Sequence, residues 1–465
     1  MSASSSGVLI DESAIASTLE RHRTADATHV REVLAKARYL NGLEAEEMAA
    51  LMTISDPALL GELFTAAQDV KTAIYGRRLV IFAPLYVSNL CGNECTYCAF
   101  RARNTEIERR ALSQEEIARE ARMLIDQGHK RVLLVAGESY PREGISYVLD
   151  AIDTIYRVTH DHGEVRRINV NVAPLTLQEF RALGDRKIGT YQLFQETYHR
   201  GTYNAVHLAG RKKDYDWRIF AMDRAMTAGI DDVGIGVLFG LFDWRFEVLA
   251  LMQHIRHLER EFGVGPHTLS VPRMEPATGS DVASHPPQAV SDIDFRKIVA
   301  ILRLAVPYTG IIMSTRESAS IRRETFALGV SQISAGSRTN PGGYAESGRD
   351  ETGQFCLGDH RLLDEVIRDV AALGYIPSFC TACYRLGRTG RDFMDLAKPG
   401  DIKAHCDPNA LATFVEYLED YASAETRAMG DACVRQILET MEPEMQQMSA
   451  RMVERVRAGK RDVYC

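Results

Sequence analysis

Cysteine spacing is the first feature of this chain that indicates chemistry. Three residues and then two separate Cys91, Cys95 and Cys98. Three thiolates this close together can each bind one iron of a [4Fe–4S] cube, which leaves the fourth iron without a protein ligand. A zinc site is the alternative, but structural zinc takes four ligands and no histidine lies nearby in the sequence. The group therefore predicts an iron–sulfur cluster with one open iron.

A second cysteine group lies towards the carboxyl end of the chain. Two residues separate Cys380 from Cys383, and 22 separate Cys383 from Cys406. Three cysteines again leave one iron of a cube open, so a second, auxiliary Fe–S cluster is predicted. Zinc or a redox dithiol are the alternatives, although no thioredoxin-like βαβ pattern surrounds the Cys-X-X-Cys pair. The remaining cysteines are isolated and are predicted to be ordinary thiols: Cys356, Cys433 and Cys465.

Composition argues against several classes of function. The chain has 465 residues, 45% of them hydrophobic and 25% charged, so it can bury a large core. Its 55 basic and 63 acidic side chains give a net charge of −8, and no long Lys/Arg run occurs, so neither nucleic acid nor a membrane is an expected partner. The sequence shows no basic leader and no stretch of about 18 apolar residues, which predicts a cytoplasmic protein. In that compartment clustered cysteines bind metal more often than they form disulfides.

Short apolar runs alternate with amphipathic helical stretches through most of the chain. The predicted strands are 79–87, 131–136, 167–172, 190–195, 232–238, 268–271, 310–314 and 331–335, and the predicted helices include 114–127, 214–228, 245–262, 295–306, 361–373 and a long helical tail at 408–457. Eight such units predict an α/β fold, a closed (β/α)8 TIM barrel, with an open doubly wound sheet as the alternative. The predicted domains are an N-terminal helical extension (1–78), the barrel (79–360) and a mostly helical C-terminal domain (361–465).

Polar residues follow several predicted strands at the point where each strand ends. Barrel active sites lie at the carboxyl ends of the strands, so these side chains are predicted to line one mouth of the barrel. They are Glu138, Asn171, Glu196, Arg273, Ser314 and Arg316. His267 instead precedes the sixth strand, which predicts a place at the opposite mouth. The C-terminal domain is expected to close that second mouth.

The first cysteine group, with Tyr97 just before the third cysteine, closely resembles the signature of the radical S-adenosylmethionine (SAM) superfamily. The resemblance implies that the open iron chelates the amino and carboxylate groups of SAM. It also implies that the reduced cluster cleaves SAM to a 5′-deoxyadenosyl radical, with reduced ferredoxin or flavodoxin as electron donor. A barrel interior suits such chemistry, because it orients the radical and shields it from water.

The same resemblance assigns the residues that bind SAM. Gly137 and Glu138 should meet its amino group, Glu196 its ribose hydroxyls, and Arg218 its carboxylate. Glycines in the fifth strand would let the backbone approach the adenosine closely. The full set of predicted cofactor-binding residues is Tyr97, Gly137, Glu138, Asn171, Glu196, Arg218, Gly234 and Gly236.

Further motifs narrow the resemblance to the tyrosine lyases that mature [FeFe]-hydrogenase. They are the 380–406 cysteine pattern, the 384–394 stretch that follows Cys383, and the segments 194–199 and 264–273. The likeness runs from about residue 70 to 410 and departs at 205–213, where His-Pro followed by Gly-Pro-Lys is expected. The related lyase of thiamine synthesis, 2-iminoacetate synthase, shares the barrel but lacks the C-terminal triad. A lyase of that kind, acting in thiamine or natural-product synthesis, is the alternative function, and a non-enzymatic Fe–S carrier is a third.

The family resemblance implies a reaction and its participants. L-Tyrosine is cleaved between Cα and Cβ to p-cresol and dehydroglycine, and the latter becomes CO and cyanide on the auxiliary cluster. That cluster is of the 4Fe–5S type, with a labile iron bound by His267 and free cysteine as an organic ligand. The product is the Fe(CO)2CN precursor of the H-cluster, which implies the hydrogenase-maturation proteins HydE and HydF as partners.

Three residues near the carboxyl ends of the strands are predicted to be catalytic: Ser314, Arg316 and Arg273. Arg316 is assigned to the substrate carboxylate, which a guanidinium can bind through two hydrogen bonds. The alternative for Arg316 is a structural ion pair with Glu317 or another acid. His267 is predicted to be a metal ligand, together with the six clustered cysteines.

Overall fold

The fold is a closed barrel of parallel strands surrounded by helices. The computed structural model describes residues 9–141, 144–161, 163–346 and 353–465. The strands are β1 (Arg78–Ser88), β2 (Arg131–Ala136), β3 (Thr159–His160), β4 (Gly163–Glu164), β5 (Arg167–Asn171), β6 (Tyr191–Glu196), β7 (Val233–Val237), β8 (Thr268–Ser270), β9 (Gly310–Met313), β10 (Gln332–Ser334) and β11 (Ile376–Ser378). Strands β1, β2 and β5 to β10 run parallel in barrel order, and β10 pairs with β1 to close the ring. The predicted (β/α)8 barrel is therefore confirmed.

Helices precede the barrel, alternate with its strands and form most of the region that follows. They are α1 (Glu12–Arg21), α2 (Ala27–Ala37), α3 (Ala45–Met52), α4 (Pro57–Tyr75), α5 (Gln114–Asp126), α6 (Ile145–Arg157), α7 (Leu177–Gly184), α8 (Arg200–Val206), α9 (Tyr215–Ile219), α10 (Ala221–Thr227), α11 (Trp244–Phe262), α12 (Asp281–Ser284), α13 (Asp292–Ala305), α14 (Ala319–Leu328), α15 (Leu363–Ala372), α16 (Ala382–Arg385), α17 (Gly390–Ala397), α18 (Lys403–Asp420), α19 (Ala424–Glu439) and α20 (Pro443–Arg457), with a 3-10 turn at Arg211–Lys213. Among the helices that the structure describes, none is both long and apolar enough to span a membrane.

Local sequence explains where these elements begin and end. The barrel strands are almost wholly buried apolar runs, as expected for parallel strands covered on both faces. Ser113 starts α5 with a capping box, in which its side chain accepts a hydrogen bond from the Glu116 backbone. Asp56 caps α4, and Pro57 occupies the first turn. Gly263 ends α11 in the left-handed conformation that glycine adopts at little cost.

The N-terminal helices cover one side of the barrel. Helix α4 packs against α13 and α14, while α1 and α3 pack against α11. Their buried faces belong to the same hydrophobic core as the barrel. The first eight residues of the predicted N-terminal extension lie outside the described residues. The predicted domain boundaries themselves stay predictions.

Three features differ from the sequence-based expectation. The predicted helix at 214–228 is interrupted at Phe220, which separates α9 from α10. The predicted tail at 408–457 consists of three helices, the first of which begins at Lys403 and includes Pro408. A ninth parallel strand, β11, pairs with the first residues of β1. Because β11 lies at the amino-end mouth of the barrel, it brings the chain that follows it directly to that mouth.

Candidate active site

A cavity of about 180 Å³ opens at the carboxyl ends of the barrel strands. Most of the predicted cofactor-binding and catalytic residues line it, together with the first cysteine group. These are Cys91, Cys95, Tyr97, Cys98, Gly137, Glu138, Asn171, Glu196, Arg218, Ser314 and Arg316. The lining does not include Gly234, Gly236 or Arg273. Of the fourteen predicted residues of this site, eleven therefore line the cavity and three do not.

The loop that carries the first cysteine group is held by two neighbouring segments. On one side it pairs with the segment after α8, where the Glu94 N–H donates to Ala209 O at 2.9 Å and Cys95 forms a backbone bridge to His207. On the other side it packs against Gly137. A Cβ atom at position 137 would lie 2.2 Å from Leu90 O, so only glycine lets the two backbones approach this closely. The cysteine loop is thus positioned before any metal binds.

Burial of the first thiols suits a metal cluster. Burial raises the pKa of Cys91 and Cys95, and raises that of Cys98 to about 11. Because thiolates are the ligands of iron, a cluster must supply the positive charge that compensates their ionisation. Among the described residues no three Cys, His, Asp or Glu side chains converge where one metal ion would fit. A cube binds each thiolate to a different iron, so this spacing fits a cluster better than zinc.

Two carboxylates and two cations form a buried charged group beside the cysteine loop. Arg218 donates from Nη1 to Glu138 Oε1 at 2.8 Å and from Nε to Phe194 O at 2.7 Å. Lys212 donates to Glu196 Oε1 at 2.6 Å. Burial and Arg218 disfavour the charge on Lys212, but the neighbouring acidic groups Glu196, Cys95 and Glu138 together outweigh them and raise the pKa of that lysine. Arg218 and Lys212 also hold the pKa of Glu138 below its usual value, against the effect of burial, so the group keeps its charges.

Glu196 reaches this group through an unusual backbone conformation. It has φ of 73°, in the left-handed region that residues other than glycine seldom adopt. The strand register shifts at the same point, because Phe194 pairs with Gly236 whereas Glu196 pairs with Val237. Such a bulge redirects a side chain at the end of a strand. Here it accompanies the contact between the Glu196 carboxylate and Lys212.

Tyr97 is oriented by a buried histidine. His207 Nδ1 lies 2.9 Å from Tyr203 O, which makes that nitrogen the donor. Its Nε2 therefore accepts the hydrogen bond from the Tyr97 hydroxyl, at 2.8 Å. Burial lowers the pKa of His207 to about 2, in agreement with a neutral imidazole. Tyr97 is thus fixed against the wall of the cavity.

The predicted catalytic arginines have different surroundings. Arg316 lines the cavity with its guanidinium stacked 3.3 Å from the centre of the Phe355 ring, and within the described ranges no ion pair to it is found. The alternative of an Arg316–Glu317 ion pair is not what the structure shows, because Glu317 pairs with Arg273. Arg273 also donates to Asp292 at 2.8 Å. Its side chain is therefore held in a structural ion-pair network outside the cavity.

The two predicted glycines of β7 lie one layer away from the cavity. A Cβ atom at Gly236 would lie 2.9 Å from the Phe194 ring and 2.7 Å from Ser270 O. Both of those residues line the cavity. Gly234 is likewise crowded by Thr268, whose Oγ1 would lie 2.4 Å from a Cβ atom. These glycines let cavity-lining residues pack closely, and their predicted approach to adenosine stays a prediction.

A second cavity, of about 70 Å³, lies at the amino-end mouth of the barrel. Cys380, Cys383, Cys406 and His267 all line it, so the structure brings together the four predicted ligands of the auxiliary cluster. Cys380 follows β11, and the Cys406 thiol donates to the Cys383 sulfur. That hydrogen bond lowers the pKa of Cys383 and raises the pKa of Cys406.

Buried cations surround the second thiol group. Arg78 and Arg131 line the cavity, and Arg131 donates from Nη2 to Cys380 O at 2.6 Å. Several buried polar atoms here have no hydrogen-bond partner among the described residues: Arg78 Nη1, Arg131 Nε, His267 Nδ1 and Thr381 Oγ1. Two of them nevertheless face a carboxylate, since Arg78 Nη1 lies 3.5 Å from Asp407 Oδ1 and His267 Nδ1 lies 3.6 Å from Asp232 Oδ1. Cations and unsatisfied donors around three thiols fit an anionic cluster, since buried polar groups are normally satisfied.

His267 is presented to the second cavity by the barrel backbone. Its N–H donates to Val233 O at 2.8 Å, and its carbonyl accepts from Gly310 N at 3.0 Å. Nε2 lies 3.0 Å from the Tyr384 hydroxyl, and burial lowers the pKa of the imidazole to about 4. The ring is therefore neutral, which is the form that binds iron.

Sequence reasoning missed two functional neighbours in the 205–213 segment. His207 orients Tyr97, and Lys212 binds Glu196. A buried lysine in a Lys-Lys pair gives no separate signal in the sequence, because only the fold shows which of the two faces inward.

Comparisons with known proteins agree with this geometry. The family model of the radical SAM superfamily matches residues 85–252, and that of the biotin and thiamin synthesis associated domain matches residues 270–376. 2-Iminoacetate synthase from Escherichia coli (strain K12) is 32% identical over 350 residues, which span 75% of this chain and 90% of the relative.

Two solved structures resemble the chain over nearly its whole length. The crystal structure of HydG, a maturase of the [FeFe]-hydrogenase, has a TM-score of 0.95 and 46% identity, and covers 98% of this chain and 100% of its own. HydG from Carboxydothermus hydrogenoformans has a TM-score of 0.82 and 40% identity, and the match covers 96% of this chain and 98% of that one. The chain therefore belongs to the radical SAM superfamily of enzymes and, within it, to the HydG group. The family predicted from the cysteine motifs is confirmed.

Proposed function

We propose that this enzyme is a carbon–carbon lyase that cleaves L-tyrosine to p-cresol and dehydroglycine at the carboxyl-end cavity. We further propose that dehydroglycine is converted to CO and cyanide at the amino-end cavity, giving the Fe(CO)2CN precursor of the [FeFe]-hydrogenase H-cluster. The observation that carries this proposal is the convergence of Cys380, Cys383, Cys406 and His267 on one cavity. These ligands come from three separate parts of the chain, which a single-cluster enzyme would not require.

The share of this chain that each relative matches favours the maturase function over the thiamine-type lyase. The match to 2-iminoacetate synthase leaves a quarter of this chain unaccounted for, since it spans 75% of it. The HydG structures cover 98% and 96% of the chain. A thiamine-type lyase would need only the carboxyl-end site.

The carboxyl-end residues are arranged for SAM and an amino-acid substrate. Cys91, Cys95 and Cys98 would hold a [4Fe–4S] cluster, which with one electron from the donor would supply the 5′-deoxyadenosyl radical from bound SAM. Glu138 and Arg218 stand together beside the cysteine loop, one negative and one positive, as the amino and carboxylate groups of SAM require. Glu196, held by Lys212, is placed to accept hydrogen bonds from the ribose hydroxyls.

Arg316 is the residue that we assign to the carboxylate of tyrosine. Its guanidinium is desolvated and faces the same cavity with no ion pair to any residue that the structure describes, and burial lowers its pKa relative to an exposed arginine. A bound carboxylate would restore the missing counter-charge through two charge-assisted hydrogen bonds. Ser314 lines the same wall, and its hydroxyl accepts from the Arg316 backbone N–H at 3.3 Å.

The amino-end residues would hold the auxiliary cluster. The three cysteines would bind three irons, and His267 would bind the labile iron on which free cysteine acts as organic ligand. Arg78 and Arg131 would balance the negative charge of the bound thiolates. Reduced ferredoxin or flavodoxin as electron donor, and HydE and HydF as maturation partners, belong to the same proposal.

Anaerobic reconstitution tests the division of labour between the two cavities. Wild type and Cys380→Ser/Cys383→Ser are given SAM, dithionite and tyrosine, and p-cresol and CO are measured together. We expect wild type to make both products and the double variant to keep p-cresol but lose CO. Cys433→Ser is the matched control, because its buried thiol donates to Tyr375 O away from either cavity. If wild type makes p-cresol without CO, the second site does not form CO and the single-cluster lyase is the better description.

A further inference from the structure

The last five residues of the sequence, 461–465, lie along the helix that carries Cys406, and we term them the strap. The strap binds three positions of α18: Arg461 Nε donates to Asp420 (2.6 Å), the Asp462 N–H donates to Glu416 (2.9 Å), and the Cys465 N–H donates to Asn409 (2.8 Å). Its contacts progress from the end of α18 towards the turn that contains Cys406. Val463 between them is buried.

The other side of the strap contacts residues 384–389, the end of α16 and the turn that follows it, which we term the Cys383 loop. Arg385 binds the Asp462 carboxylate with both terminal nitrogens, one of them at 2.7 Å from Oδ1. The same guanidinium stacks on the Tyr464 ring, 4.4 Å from its centre. Arg388 donates from Nη2 to Cys465 O at 2.9 Å.

Cys465 is the point where the two ligand-bearing elements meet. Asn409 Nδ2 donates to the same main-chain oxygen that accepts from Arg388, at 3.2 Å. The Cys465 thiol lies 3.9 Å from His405 O, in the residue before Cys406. One main-chain oxygen thus joins the helix of Cys406 to the loop of Cys383.

The Cys383 loop also has anchors of its own: the Arg388 N–H donates to Cys383 O at 2.8 Å, and the Tyr384 hydroxyl lies 3.0 Å from His267 Nε2. Its outer turn is less well packed. Leu386 is 47% exposed, and a Cβ atom at Gly387 would have no neighbour within 4 Å. Gly387 also has φ of 70°, so the chain reverses there without packing against the core. Thr389 donates to Asp231 at 3.3 Å, at the far end of the loop. The contacts of Arg385 and Arg388 with the strap therefore add to these anchors and link the Cys383 loop to α18.

We propose that the strap is a positioning element for the auxiliary cluster. By joining the Cys383 loop to the Cys406 helix, it keeps these two thiols at the separation at which the cluster binds them. This inference rests on the proposed function for the identity of the metal group, but its structural part concerns the protein without metal. Arg385 and Arg388 are positioning residues in this scheme, since they act through the strap.

The variant Arg385→Gln/Arg388→Gln weakens the strap on the loop side and leaves its contacts to α18 in place. After anaerobic reconstitution we expect it to bind about half the iron of wild type, to lose the electron paramagnetic resonance signal of the second cluster, and to form p-cresol within about twofold of wild type. Arg385→Lys/Arg388→Lys should restore most of the iron, because the positive charges remain. Arg457→Gln is the control, since its 2.7 Å ion pair with Asp431 lies on exposed parts of α20 and α19. Full iron and an unchanged signal in the glutamine variant would overturn the proposal.

Hydrogen exchange of the metal-free protein tests, independently of the cluster, whether the strap positions the Cys383 loop. The amides of residues 384–389 should exchange at least about tenfold faster in the glutamine variant than in wild type or Arg457→Gln, because loss of the strap contacts lets the loop open. Equal exchange rates would show that the strap does not position the loop. If wild type itself binds only one cluster, the proposed function fails, while this measurement still tests the strap.

Discussion

Three arginines near the carboxyl-end mouth of the barrel differ in the groups that their guanidiniums contact. Arg218 donates to Glu138 and to a main-chain oxygen, and Arg273 binds Glu317 and a second acid. Arg316 faces the cavity with an aromatic ring on one side and no ion pair among the described residues. A buried cation without a partner is costly unless a ligand completes it. The difference in pairing therefore favours Arg316, rather than Arg218 or Arg273, as the arginine that we propose for the carboxylate of the substrate.

Arg316→Lys tests this assignment. Lysine keeps the charge but cannot bind a carboxylate through two parallel hydrogen bonds. Loss of a charge-assisted hydrogen bond is worth about 1.5–3 kcal/mol, so the KM for tyrosine should rise about 10- to 150-fold while the affinity for SAM changes little. Steady-state p-cresol formation gives the first quantity and equilibrium binding of SAM the second. Arg296→Lys, at a surface ion pair with Glu324, is the control and should behave as wild type. An unchanged KM for tyrosine in Arg316→Lys would assign the carboxylate to another residue.

The loop of the first cysteine group is held in place by backbone hydrogen bonds from the loop after β2. The Gly137 N–H donates to Ser88 O at 2.8 Å, and the Ser139 N–H donates to Leu90 O at 3.2 Å. This pairing continues the β1–β2 ladder past the ends of both strands. It also leaves no room for a side chain between the two backbones. The cysteine loop and the loop after β2 are therefore one rigid unit.

Gly137→Ala should separate these two loops. The new methyl group would lie 2.2 Å from Leu90 O, and the neighbour is backbone that cannot rotate away. Overpacking of this kind costs about 1–3 kcal/mol, and we expect the variant to lose most of the iron of the first cluster. Gly92→Ala is a matched control in the same loop, because its Cβ atom would meet nothing within 4 Å. Iron content after reconstitution and the Tm of the metal-free protein distinguish the two. Normal iron in Gly137→Ala would show that the loops can move apart.

The barrel of the whole molecule could be predicted from the sequence, because each barrel strand is a short apolar run between helical stretches. The sequence also predicted the cysteine sites because thiol spacing is local information. It did not predict β11, which is short and contains Pro377. Nor did it show that Arg273 turns away from the cavity or that Lys212 turns towards it. Arg273 binds Glu317 and Lys212 binds Glu196, and each pair is far apart in the sequence. Only the folded chain brings these partners close together.

The barrel and the C-terminal helices are joined by a buried group of charges at the amino-end mouth. Glu416 of α18 accepts from Arg166 Nη2 at 2.7 Å and lies 3.6 Å from Lys130 Nζ. Both cations belong to barrel segments next to β5 and β2. All three side chains are at least 96% buried. This group fixes the C-terminal region to the mouth that carries His267.

Glu416→Gln should weaken that junction strongly. The glutamine has nearly the same shape but leaves Arg166 and Lys130 buried with less compensating charge, and breaking a buried pair costs about 3–5 kcal/mol. The expected result is a loss of roughly 3 kcal/mol in the free energy of unfolding, measured by urea titration of the metal-free protein. Glu419→Gln on the same helix removes a partly exposed pair with Arg427 at 3.4 Å, for which less than about 1 kcal/mol is expected. Equal losses in the two variants would mean that the buried charges do not hold the two parts together. A large loss only at Glu416 would show that these buried charges hold the C-terminal region to the barrel.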